Sequence, residues 1–318
     1  MTSVAERVFG ELHESEPIYA VVDGARNPAV QAWAASDGAA AWCLHRGTLP
    51  KPLREVAPYL RRIGRGHEHT QRFFEAAWGD AWGVLFTSPA PSRELRRHLR
   101  RYLRVRNAAG GLFAFRWFDP RVLRVFLPTL TSAELIRFFG PINAFAIEEG
   151  ELGAFHLFRL GEQGLSHRLV GPAPAFETSE LPRTGLEAAA HARRDDPALD
   201  PTKAARRHLV PTISHASMDA LGRASRAAFV ERLGRELRAR FPAAERLFGP
   251  RIGTQVELGI IEAQKVGLTS EREIAGYLHF WFESGFNFER RWPGSTAVLK
   301  NARVPGEAKL ALLTQLAR

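Results

Sequence analysis

The feature that most constrains this chain is a change of period along its length. Up to about residue 160, apolar runs of strand length alternate with amphipathic stretches of helical spacing; beyond residue 200 only the helical spacing remains. Strand candidates are residues 17–22, closed by the turn pair Asp23-Gly24, then 39–44, 59–63, 82–87 and 111–118, with a last hairpin over 142–147 and 154–160. Helix candidates fall between them. Pro28 opens one reaching Trp33, and 67–78 turns Phe73, Phe74 and Ala77 inward. Ser92 is placed to cap 93–106, where Leu95, Leu99, Tyr102 and Leu103 share a face. Pro120 opens another helix, and Thr131 or Ser132 caps 133–139. Strands alternating with helices predict an α/β lobe with a mixed sheet.

Residues 161–200 break both periods with prolines 172, 174, 182 and 197 and with four glycines. Helical spacing then returns. Residues 218–241 end at Pro242, 251–266 end at Gly267, and Ser270 with Glu273 forms a capping box for 274–282. A final helix is expected near 307–316. The expected organisation is an α/β domain over 1–160, a Pro/Gly-rich connector over 161–200 and an all-α lobe over 201–318.

Composition narrows the class. The chain has 318 residues, 45% of them hydrophobic and 25% charged, which suits globular lobes with real cores. Its longest apolar stretches are far below the ~20 residues a bilayer requires. No basic segment followed by an apolar one marks the first residues, so a soluble, cytoplasmic protein is expected, with no membrane partner. A single cysteine, Cys43, excludes an intramolecular disulfide and any multi-cysteine metal site. The formal charge is +10, and only five of 44 basic residues are lysine, so the excess is one of arginine. Arginine favours bidentate pairing with carboxylates and phosphates, although composition alone also accounts for the excess.

Residues that could carry chemistry are sparse. Cys43 and His45 would share one face of a strand, but no glycine turn or motif accompanies them. His67 and His69 lack the helical spacing of metal ligands. Phosphate-loop, dinucleotide-binding and nucleophile-elbow patterns are all missing from the sequence. Asp119, Glu148, Glu149 and Glu151 could supply paired carboxylates, but their spacing sets no two across a cleft. No enzyme, cofactor or metal is expected. The most charged element is 93–106, with seven arginines, of which Arg97, Arg100, Arg101 and Arg104 are candidates to grip an acidic partner. Solvation of one helix face is the competing explanation. An arginine-rich nucleic-acid binder is the alternative function, against which stands the scarcity of interleaved aromatics around Tyr102.

The most distinctive string is Phe115-Arg-Trp-Phe-Asp-Pro-Arg-Val-Leu123. It is preceded by His98-Leu-Arg-Arg and followed by Phe126-Leu-Pro-Thr and Phe138-Phe-Gly-Pro141. Upstream stand Tyr19-Ala-Val-Val-Asp-Gly-Ala-Arg26, Ala57-Pro-Tyr-Leu60 and Trp78-Gly-Asp-Ala-Trp-Gly83. In this order, from about 17 to 141, the set resembles the effector-chaperone (adaptor) family of bacterial type VI secretion. The string from Ala263 to Ala275 and Gly285-Phe-Asn-Phe288 are similar to that family's helical tail. The resemblance implies a non-catalytic adaptor that binds a cognate toxic effector in the cytoplasm and helps load it onto the spike protein of the secretion tube. Within the motifs, Arg116, Asp119 and Arg121 bracket a helix start, where Asp119 suits an N-cap that also pairs an arginine. A polar rim contacting the effector is the other role open to them, and to Tyr19 and Asp23.

Overall fold

The computed structural model describes residues 3–12, 16–36, 40–150, 153–161, 163–171 and 210–317. The chain divides into two compact units, Met1–Leu221 and Gly222–Arg318.

The first unit is built on a seven-stranded sheet in the order β2-β3-β1-β4-β7-β8-β9. Its strands are β1 Ile18–Asp23, β2 Ala41–Cys43, β3 Pro58–Ile63, β4 Gly83–Thr87, β7 Ala144–Glu148, β8 Phe155–Gly161 and β9 Gly164–Val170. Every pairing in it is antiparallel. The expected mixed pairing occurs instead in a small second sheet, where β5 Arg104–Asn107 lies antiparallel to β6 Leu112–Ala114 and parallel to β10 Thr212–Ile213.

Helices α1 Val4–Leu12, α2 Ala29–Ala35, α3 Lys51–Glu55 and α4 Glu68–Ala76 precede α5 Ser92–Leu99, α6 Pro120–Phe126 and α7 Ser132–Phe139. They cover both faces of the large sheet. Side chains alternate across a strand, so Tyr19 and Val21 join one core with Leu95, Leu99, Leu123 and Phe139, while Ile18, Ala20 and Val22 join another with Val8, Trp33 and Phe73. Burial on both faces explains why β1 is an unbroken apolar run rather than an alternating one.

Four expectations are corrected. The helix expected over 93–106 stops at Leu99. A 3₁₀ turn, Arg100–Leu103, follows it, and β5 then buries Val105 in the small sheet. Ser92 is the first helical residue rather than a side-chain cap. The strand expected over 111–118 is confined to Leu112–Ala114, because Phe115, Trp117 and Phe118 leave the sheet to fill the core. The hairpin ending at residue 160 is not terminal either: β9 pairs with β8 from Gly161↔Gly164 to Phe155↔Val170, so the sheet runs past the expected boundary. From residue 172, the expected connector lies outside the described residues, as does Glu151.

Helix α8 spans His215–Arg240. The second unit adds α9 Pro242–Phe248, α10 Ile252–Lys265, α11 Glu271–Glu283, α12 Phe288–Arg291, α13 Ser295–Lys300 and α14 Gly306–Leu316. Its own core gathers Phe229, Leu233, Leu237, Val256, Ile260, Leu278 and Leu313. The expected capping box is present, with the Ser270 side chain on the Glu273 N–H and the Glu273 side chain on the Ser270 N–H. Gly267 ends α10 at φ +80°, and the buried Lys309 ammonium donates to the Val266 carbonyl at 2.5 Å, where a helix C-terminus favours a cation. An α/β lobe followed by a helical one is therefore the architecture.

Candidate functional site: a polar cluster at one end of the sheet

The strand registers bring Asp23, Pro58, Gly83 and Glu148 to the same end of the sheet. Asp23 closes β1. Its backbone N–H donates to Trp82 O at 2.7 Å, and one carboxylate oxygen accepts the Ala25 N–H at 3.0 Å. Gly24 follows because the chain passes so close to the α3–β3 connection that a Cβ there would sit 2.6 Å from Ala57 O. The second Asp23 carboxylate oxygen pairs with the Arg116 guanidinium.

Asp119 is the N-cap expected of it. Its side chain accepts the Arg121 N–H at 3.0 Å, starting α6 at Pro120. The same carboxylate holds the Arg121 guanidinium at two points, 2.9 and 2.6 Å. The Asp119 hydrogen bond dominates in pushing the Arg121 pKa up, with the charges of Glu148 and Asp23 adding to it. In the two ion pairs, Asp23 and Asp119 are buried, while Arg116 and Arg121 are about half exposed at the side chain.

Tyr19 stands apart from this cluster. It is buried, its ring stacked on Phe86 at 5.7 Å, and burial pushes its pKa up. Its role is packing. The candidate arginines also separate: Arg97 lies exposed on α5, Arg100 and Arg101 on the 3₁₀ turn and Arg104 on β5. Arg100 is committed structurally, donating to the carbonyls of Leu44, Cys43 and His45 at 2.7, 3.0 and 3.1 Å beyond the end of β2.

Glu148 was not among the expected motif residues, yet it organises one of the motifs. Its two carboxylate oxygens accept the Gly79 N–H at 2.6 Å and the Ala81 N–H at 2.7 Å. The Trp78–Gly83 string is thus a loop wrapped around a buried carboxylate, with Ala81 held at φ +55°. Burial pushes the Glu148 pKa up to about 7, against the pull of those two N–H groups. The only local sign was the acidic pair ending an apolar run. Beside it, Glu149 pairs with Arg124 and meets His156 Nε2 at 2.5 Å, and His156 Nδ1 lies 2.6 Å from His167 Nε2.

Chemically, this cluster can hold loops and present guanidinium edges. Cys43 is half-buried, and no hydrogen bond links it to His45 among the described residues. Nor do three or more metal-ligating side chains converge anywhere among them. No described helix is long and apolar enough to cross a membrane. Among curated proteins and solved structures the chain finds no match. Residues 18–137, from β1 to α7, match a protein-family model described as a domain of unknown function, DUF4123.

Proposed function

We propose that the protein is a non-catalytic chaperone or adaptor that binds a toxic effector of type VI secretion in the cytoplasm and helps load it onto the spike protein. What carries this reading is the convergence of the motif residues. Asp23, the Gly79–Ala81 loop, Arg116, Asp119 and Arg121 are scattered over about a hundred positions, yet they meet at one end of the sheet. The stretch bearing the resemblance is also nearly the stretch matched by the domain model. Buried carboxylates that fix the outward arginines suit polar recognition, since guanidinium groups held in place lose less freedom on binding a partner.

An adaptor must release its cargo, so a mixed polar and aromatic contact of ordinary size is expected. The test is co-expression with a toxin encoded beside this gene. The toxin should co-purify with the protein and lose solubility or delivery without it. If no toxin or spike protein is recovered with the protein, the adaptor reading falls.

A further inference from the structure

A cleft of about 270 Å³ is lined by Arg46, Arg93, Arg96, Arg97 and Arg100, with no carboxylate in its lining. Positions 93, 96, 97 and 100 follow i, i+3, i+4, i+7 spacing, which brings them to one side of α5 and its 3₁₀ extension. Arg46 faces them from beyond β2. Among the described residues, none of Arg46, Arg93, Arg96 and Arg97 makes an ion pair, and the buried Nε–H of Arg96 has no acceptor. Glu94, on the same helix, is exposed and pairs with none of them. Burial, with the charges of Arg96 and Arg46, pulls the Arg100 pKa down. Five guanidinium groups without a counter-charge make a site that is unfavourable when empty and favourable to an anion.

We infer that this arginine cleft is a docking site for an acidic segment of a partner protein, held extended along α5. The spacing fits: from Arg93 to Arg100 the helix rises ~10 Å, and alternate side chains on one face of an extended peptide stand ~7 Å apart. Two acidic side chains separated by one residue therefore fall within the stripe, each able to meet a bidentate fork. Nucleic acid is the weaker fit. No aromatic residue lines the cleft for a base to stack on, and the nearby Tyr102 is engaged, its ring 4.8 Å from Phe138 and its hydroxyl donating to Arg137 O. The inference rests on the adaptor reading for the partner's identity. It also redraws the expected arginine set: Arg46, Arg93 and Arg96 join Arg97 and Arg100, while Arg101 and Arg104 fall outside.

The probe is a labelled decapeptide of alternating Glu and Gly, titrated against the full-length protein, with the Gln-Gly counterpart as control. The variant is R46Q/R93Q/R97Q, three exposed positions that spare the Arg100 clasp; R46K/R93K/R97K keeps the charge but loses the forks. The acidic peptide should bind, the control should not, and affinity should fall by about tenfold or more in the Gln variant and less in the Lys variant. Absence of peptide binding, or equal binding by parent and Gln variant, overturns the site. Oligothymidylate that binds more tightly than the peptide and is lost in the Gln variant would overturn it in favour of nucleic acid. Recovery of the neighbouring toxin separates the two claims. Equal recovery by parent and Gln variant removes the cleft from the effector interface while the adaptor reading stands. No recovery by the parent defeats the adaptor reading, whatever the peptide does.

Discussion

The carboxylate of Asp23 and the guanidinium of Arg116 are paired although ninety-three residues separate them, the acid 2% exposed and the arginine 48%. The pair joins the end of β1 to the turn that leads into α6. It is asymmetric, because the acid is held by the fold while the base retains a wet edge.

That asymmetry predicts which partner can be removed. Arg116→Ala leaves Asp23 buried with only the Ala25 N–H, which should cost ~1–3 kcal/mol, less than a fully buried pair because the guanidinium is half solvated. Asp23→Asn should cost less in the Arg116→Ala background than in the parent. A double-mutant cycle by urea denaturation measures the coupling. Strictly additive losses would mean the pair has no energetic role.

Local grammar was legible in the sequence, and long-range grammar was not. The Ser270/Glu273 capping box and the Asp119 cap each complete themselves within three residues, so residue type and spacing suffice to find them. The early end of α5 has a tertiary cause. Leu103 and Arg104 continue a helical pattern, but Val105 is buried in the small sheet and Arg100 is drawn to the carbonyls of Cys43, Leu44 and His45. Strand β9 was hidden by Ser166, His167 and Arg168, polar residues tolerable there because the strand lies at the sheet edge. Glu148 was seen as a carboxylate, but its partners Gly79 and Ala81 lie almost seventy residues upstream. Of the site, the individual residues were legible and their meeting was not.

The core role of α5 is tested by contrast. Leu99 is 2% exposed in the core beneath the sheet, so Leu99→Ala should cost ~2–5 kcal/mol. Leu112, on β6, is 45% exposed, and Leu112→Ala should change stability by less than about 0.5 kcal/mol. Equal melting of the two variants would mean the packing of α5 is misassigned.

Gly140 offers a backbone test. It ends α7 at φ +52°, ψ −113°, a conformation that side chains resist, and a Cβ there would overlap the His98 ring. His98 cannot yield easily, since its Nε2–H donates to Phe138 O at 2.7 Å. Gly140→Ala should therefore destabilise by ~1–3 kcal/mol. His98→Ala in the same chain should relieve the overlap but not the dihedral strain, so rescue should be partial. Complete rescue would locate the whole cost in the ring contact.

His98 and Glu148 should act on stability in opposite directions with pH. Burial pulls the His98 pKa down to about 4 from 6.5, so below pH 6.5 the unfolded chain takes up a proton that the native state refuses. Stability from this residue is present above 6.5 and is lost as pH falls towards 4. Burial pushes Glu148 up to about 7 from 4.5, so above pH 4.5 the unfolded chain releases a proton that the native state keeps. Its contribution is present below 4.5 and is lost as pH rises through 7. Between pH 4.5 and 6.5 the two slopes oppose each other, each on the order of 1.4 kcal/mol per pH unit. Glu148→Gln removes one of them. It also leaves an amide facing the Gly79 and Ala81 N–H groups, which adds a cost independent of pH. The stability of the variant relative to the parent should therefore increase with pH across this window. Chemical denaturation at half-unit intervals reads the difference directly, and a flat difference would show that Glu148 ionises in the native state as freely as in the unfolded chain.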